Sequence, residues 1–159
     1  MTFFNLFLLI IIVCVSVVCS FWDFIKLRVP NFVIFLGIVS VIFSNLIFCE
    51  DGIRFSFSRL MAVVLSGFFV GLFYFAVRYI CNGRFGKGDI LFGVFQGVCL
   101  VPREIILCLL IEVVCAAVFL FIKKIFYRNG VSSFSGKIPF VPFMSIGLLG
   151  TFFYFNFIR

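Results

Sequence analysis

Apolar runs of bilayer length recur from one end of this chain to the other, and they limit its fold class before any single residue is considered. The runs are Phe3–Trp22, Phe32–Cys49, Leu60–Val77, Asp89–Val101, Ile105–Ile122 and Ile138–Ile158. At a rise of ~1.5 Å per residue, all but the fourth are long enough to cross a hydrocarbon layer of ~30 Å. The fourth would reach only about 20 Å as a straight helix. Either Pro102 merely kinks a helix that continues into the fifth run, or the Asp89 end starts below the membrane surface. Of the 159 residues, 65% are hydrophobic and 12% charged, which is too little polar material to cover a water-facing surface. The expected fold is therefore all-α: a polytopic membrane protein of about six transmembrane helices, forming a single membrane-embedded domain over residues 1–159.

The chain contains no histidine, which removes Ser-His and Cys-His nucleophiles, HExxH zinc sites and any His general base. Its cysteines, Cys14, Cys19, Cys49, Cys81, Cys99, Cys108 and Cys115, lie mostly inside apolar runs, and no two form a CxxC pair. They read as small packing residues, with neither a zinc cluster nor a disulfide framework. No metal and no cofactor is expected.

The first run reads as a retained span and not as a cleaved signal peptide. Met1-Thr2 before it carries no Lys or Arg, and the run leads into no small-residue cleavage motif. Sorting the cations by alternate connections puts Lys26, Arg28, Arg78, Arg84, Lys87, Lys123, Lys124, Arg128 and Lys137 on one side, against Arg54, Arg59, Arg103 and Arg159 on the other. By the positive-inside rule the first group is cytoplasmic and both termini lie outside. The net charge of +7 then reflects topology and anionic lipid headgroups, and no nucleic-acid partner is expected.

Six acids are present: Asp23, Glu50, Asp51, Asp89, Glu104 and Glu112. Glu50, Asp51 and Glu104 fall at outer ends, where solvation accounts for them. Asp23 ends the first span and Asp89 begins the fourth, so the two share the cytoplasmic depth of the membrane. Ionisable groups at that boundary need a partner or a task. One alternative is structural, with Asp23 paired to Lys26 or Arg28 and Asp89 serving as an N-terminal helix carboxylate. The other is a site. Gly86-Lys87-Gly88 precedes Asp89, and glycines there permit close helix approach. Asp89, Gly93 and Gly97 form one small-residue stripe, Gly67 and Gly71 form another, and Ser16 and Ser20 lie near the face of Asp23. Glu112, in the middle of a span, is open between pairing with Gln96 or an arginine, packing in protonated form, and a role in a site.

These residues carry a resemblance. Asp23-Phe24-Ile25-Lys26-Leu27-Arg28-Val29-Pro30-Asn31 resembles the first aspartate segment of type IV prepilin peptidases, and Gly86-Lys87-Gly88-Asp89 is similar to their GxGD motif. Ile138-Pro139-Phe140-Val141-Pro142-Phe143, with Gly147 after it, resembles the Pro-Phe-x-Pro-Phe segment that opens their last span. The resemblance implies a membrane aspartyl endopeptidase that removes the basic leader of prepilin-like, pseudopilin or preflagellin precursors at the cytoplasmic face of the inner membrane. Asp23 and Asp89 stand at the matching catalytic positions, and the precursor and membrane lipids would be the partners. Two approximated carboxylates do not comfortably both ionise, so one would activate water while the other polarises the scissile carbonyl. Which aspartate takes which role is open.

Two departures accompany the match. Larger members carry a segment with paired CxxC motifs and methylate the new N-terminus, whereas here the connection after the first span is a few residues, which implies a peptidase without methyltransferase activity. Many bacterial members also place Lys where this chain has Leu91. The alternatives are a non-catalytic assembly protein of a pilus or secretion system, and a presenilin-type GxGD protease, in which Tyr rather than Trp22 would precede the first aspartate.

The cation bias predicts the side on which Ser132 lies. In a background with the native cysteines replaced, Ser132→Cys is expected to react with an impermeant thiol reagent only after the cytoplasmic side is opened. Labelling in intact cells would invert the topology.

Overall fold

In lipid every backbone polar group must find its partner inside the protein, which leaves the helix as the local solution for a chain this apolar. The computed structural model describes residues 3–47, 53–80, 86–128 and 139–158. Its elements are α1 (Phe3–Lys26), α2 (Asn31–Ile47), α3 (Ile53–Ile80), α4 (Lys87–Cys99), α5 (Pro102–Arg128) and α6 (Val141–Phe153), with a π-helical turn over Tyr154–Ile158. The described residues contain no strand. Among the described residues three segments, Asn5–Lys26, Leu60–Ile80 and Pro102–Ile122, are long and apolar enough to cross a membrane, while Asn31–Ile47 and Val141–Asn156 are shorter apolar helices. The chain is an all-α membrane protein.

Its burial pattern is that of a protein dissolved in lipid. Large apolar side chains such as Phe21, Phe24, Phe32 and Phe68 face outward, whereas Ser16, Asp23, Asp89, Gln96, Glu112 and Thr151 are buried. Cys19, Cys99 and Cys108 are buried, and the described cysteines Cys14, Cys19, Cys99, Cys108 and Cys115 are all free. Cys49, Glu50, Asp51, Cys81, Arg84, Ser132, Lys137, Ile138 and Arg159 lie outside the described residues, as do the side chains of Arg54, Arg59, Lys123, Lys124 and Arg128.

The helix ends differ from the expected spans for local reasons. The fifth helix starts at Pro102 rather than Ile105, and Pro102 does not kink a longer fourth helix. The chain is extended at Leu100, and Pro102 occupies the first helical position, where its missing N–H costs no bond. Glu104 reaches back to the Val101 N–H at 3.2 Å, so it caps this helix start as well as lying at a polar end. At the other boundary, α1 runs past Trp22 to Lys26. It ends where Leu27 turns into the left-handed region at φ 51°, with the Leu27 N–H on the Asp23 carbonyl at 2.9 Å. Pro30 cannot prolong α1, and its carbonyl accepts the Val33 and Ile34 N–H groups in the first turn of α2.

Packing is organised around two inner helices. The short α4 lies against α3 and α2, and α6 lies against α5 and α1. The two glycine stripes meet each other: a Cβ on Gly97 would stand 2.7 Å from the Gly67 Cα and from the Ser66 carbonyl oxygen. Gly71 admits the Val94 side chain. On the opposite side of α4, Phe92 and Phe95 are fully buried, and Gly37 of α2 makes room for the Phe95 ring.

Backbone on backbone cannot yield, so Gly97→Ala is expected to destabilise the bundle by about 1–3 kcal/mol. Gly150→Ala, whose Cβ would meet only Ile111 Cδ1 at 3.8 Å, is expected to be neutral or mildly stabilising. Thermal unfolding of both variants in detergent checks the difference, and equal midpoints would show that α3 and α4 are not in this close register.

Candidate active site

Asp23 and Asp89 start from different helix ends. Asp23 lies in the last turn of α1, and Asp89 is the third residue of α4. Both are buried, at 5% and 7% exposure. They lie within electrostatic reach of each other, and Arg78, in the last turn of α3, also acts on Asp89.

The carboxylate of Asp23 is held by the start of α6. Its Oδ2 accepts the Val141 N–H at 3.2 Å, and the Phe140 N–H is a second backbone donor. The Pro139-Phe140-Val141-Pro142-Phe143 segment makes this possible. Phe140 caps α6, Val141 is its first residue, and Pro142 sits in the first turn, where a helix has no use for the absent N–H. The unpaired donors and the positive end of the helix dipole therefore point at an acid. One turn from each of these residues, Ser20 Oγ and Ser145 Oγ are 2.8 Å apart and fix the register of α1 on α6.

A salt bridge from Asp23 to Lys26 is not the arrangement found. The Lys26 ammonium lies 4.5 Å from the centre of the Trp22 ring, and Arg28 is exposed. Asp89 does sit at its helix start as a capping carboxylate, with Oδ2 accepting the Gly86 N–H at 2.9 Å. Lys87 and Asn31 are exposed beside these elements, Pro139, Pro142 and Phe143 are partly buried, and the Phe143 ring packs against Phe140 and Phe119.

Gly88 joins the two aspartate segments. A Cβ on it would fall 2.6 Å from Val29 Cβ and 2.7 Å from Val29 Cγ2, so the connection from α1 to α2 rests directly on the first turn of α4. Leu27 with its positive φ turns the chain toward this contact, and Pro30 disfavours a helical conformation for Val29 before it. The DFIKLRVPN and GKGD segments are thus two sides of one junction.

Two neighbours have no counterpart in the motifs. Tyr74 and Arg78 of α3 both interact electrostatically with Asp89. With Gly67 and Gly71 they form a single helical stripe, and that periodicity is the signal in the sequence that leads to them. Leu91 packs against the core. Among the described residues no group of three or more His, Cys, Asp or Glu side chains comes together in a way that could hold a metal ion.

A model of the type IV leader peptidase family matches residues 10–121. No curated protein and no solved structure matches the chain. The matched region takes in both aspartates and the glycine junction and ends before α6, which supplies the backbone donors to Asp23.

The junction at Gly88 is expected to behave as a pair. Gly88→Ala should lower stability, and adding Val29→Gly, which removes the opposing Cβ, should recover part of the loss, with a coupling energy on the order of 1 kcal/mol in a double-mutant cycle. Strictly additive effects in detergent unfolding would separate the two residues.

Proposed function

Since the chain belongs to the type IV leader peptidase family, we propose that it is an aspartyl endopeptidase in which Asp23 and Asp89 form the catalytic pair. The observation that carries this is the placement of two buried acids from α1 and α4 within reach of each other, each hydrogen-bonded to backbone N–H groups. A carboxylate held by backbone donors keeps its orientation without the neutralising contact of a lysine. One ionised carboxyl of the pair takes a proton from water as it attacks the scissile carbonyl, and the other, protonated, donates to the carbonyl oxygen. Collapse of the tetrahedral intermediate expels the amine, which leaves with a proton from the pair. The two carboxyls exchange protonation states through the cycle and act as a unit.

The substrate class is a prepilin-like precursor, with a short basic leader ahead of a hydrophobic helix. Cleavage takes place at the cytoplasmic face of the inner membrane, with both termini of the peptidase outside. The leader then remains in the cytoplasm while its helix lies in the bilayer, which brings the junction to the level of Asp23 and Asp89. The exposed Lys26, Arg28 and Lys87 face anionic headgroups and do not bind a leader of their own sign. Only Leu27 to Pro30 separate α1 from α2, too little chain for a second catalytic module there, so the activity is leader removal without methylation.

Asp23→Asn and Asp89→Asn are each expected to abolish cleavage of a prepilin in membranes, and the double variant to be no worse than either. Substantial turnover by either folded single variant would exclude the pair. A wild-type protein that cleaves no such precursor would favour the non-catalytic assembly role instead.

A further inference from the structure

A third buried acid lies deeper in the bundle, on α5. Glu112 is 2% exposed, and a carboxyl at that depth has to be satisfied by its neighbours. They come from several helices. Oε2 accepts the hydroxyl of Tyr74 on α3, while Oε1 accepts Gln96 Nε2 of α4 at 2.5 Å and Cys108 Sγ, one turn back on α5, at 3.1 Å. The same Gln96 amide donates to the Met144 carbonyl in the first turn of α6 at 2.9 Å. Opposite the carboxylate, α6 presents Gly147, where a Cβ would lie 2.5 Å from Glu112 Cγ and 2.9 Å from the Cys108 carbonyl oxygen.

These partners stand close to the site along each helix. Met144 is one turn beyond Val141, whose N–H holds Asp23. Gln96 is two turns beyond Asp89 on α4. Tyr74 lays its ring where Gly93 lacks a Cβ, one turn from Asp89, and Arg78 stands one turn later on α3. Glu112 therefore gathers α4, which carries Asp89, with α3 and with α6, whose first N–H groups hold Asp23.

We propose that Glu112 is a positioning residue for Asp23 and Asp89: by collecting Tyr74, Gln96 and the Gly147 face of α6 on one carboxylate, it sets the axial register of α6 against α4 and so the separation of the two acids. Its kinetic consequence rests on the peptidase reading; its geometric consequence does not. Three donors converging on two oxygens fix direction as well as distance, which an apolar side chain of similar size does not. A shift of this register by a fraction of a helical turn moves the N–H donors of Phe140 and Val141 relative to Asp89.

The test has two readouts. In prepilin cleavage, Glu112→Leu is expected to lower kcat at least about tenfold with KM changed by less than about twofold. Glu112→Gln, which keeps an acceptor for Gln96, should recover most of the loss. The second readout is independent of activity. Ser20→Cys and Ser145→Cys, introduced together with the native cysteines other than Cys108 replaced, place two thiols where the native hydroxyls are 2.8 Å apart. Under added oxidant the 20–145 disulfide, identified by mass, should form readily in this parent and at least about tenfold more slowly when Glu112→Leu is added. Ser44→Ala removes a buried hydroxyl bonded within α2 and should move neither readout. Should Glu112→Leu fail to fold, Gly147→Ala, which presses directly on Glu112, is expected to reproduce both effects. Parental turnover per folded molecule together with a parental cross-linking rate would overturn the proposal and leave Glu112 as a contributor to stability alone. A parent that cleaves no prepilin but whose cross-linking slows on Glu112→Leu would sink the peptidase reading and uphold the positioning role.

Discussion

The bond between Asp23 and the first N–H groups of α6 answers two demands of an apolar solvent at once. A buried carboxyl in an apolar bundle needs donors, and a helix start buried beside it has donors with no intrahelical partner. Val141 and Phe140 supply to Asp23 what water or a capping side chain would otherwise supply to them. Because α6 also packs on α5 and α1, the contact ties the last helix to the first and closes the bundle around α4. The Ser20–Ser145 pair, the Gly147 notch and the Gln96–Met144 bond all depend on α6 being seated at this height.

Glycine controls how near the other elements come. Gly97 and Gly67 allow α3 and α4 to touch backbone to backbone, Gly88 lets the α1–α2 connection rest on the start of α4, and Gly93 receives Tyr74. In a membrane bundle, where the solvent gives little reason for apolar helices to associate, such close contacts and buried hydrogen bonds supply the cohesion. The motif glycines around Asp89 and the stripe glycines farther along α4 are in this sense one design: the first sets what approaches the acid, the second how deeply α4 is embedded.

Much of this was legible in the sequence. The apolar runs marked the helices, because lipid solvation writes itself into composition. Their ends were less legible, since Asp23 and Lys26 are polar yet helical, and Pro102 reads equally well as a kink or as a first residue. The two aspartates stood out through their glycines, prolines and shared depth, and Gln96 was among the partners open to Glu112. The donors to Asp23 were not visible, because a backbone N–H has no letter of its own. Tyr74 was hidden within a run whose hydropathy dominates it, and Arg78 just beyond that run read as one more cytoplasmic cation, although their spacing from Gly67 and Gly71 places them on one face.

The wide separation in sequence between Asp23 and its donors has a consequence for how such a protein is made. Asp23, the glycine junction and Asp89 all leave the ribosome before α6 does, yet Asp23 meets its helix end only when Val141 arrives. Until then its carboxyl lacks those donors, and the Val29–Gly88 junction holds α1 against α4 without them. Biogenesis therefore imposes an order: the bundle can insert helix by helix, but the arrangement of its two acids is completed only once α6 has been translated. A chain stalled or truncated before α6 would carry both aspartates into the membrane without the part that sets them.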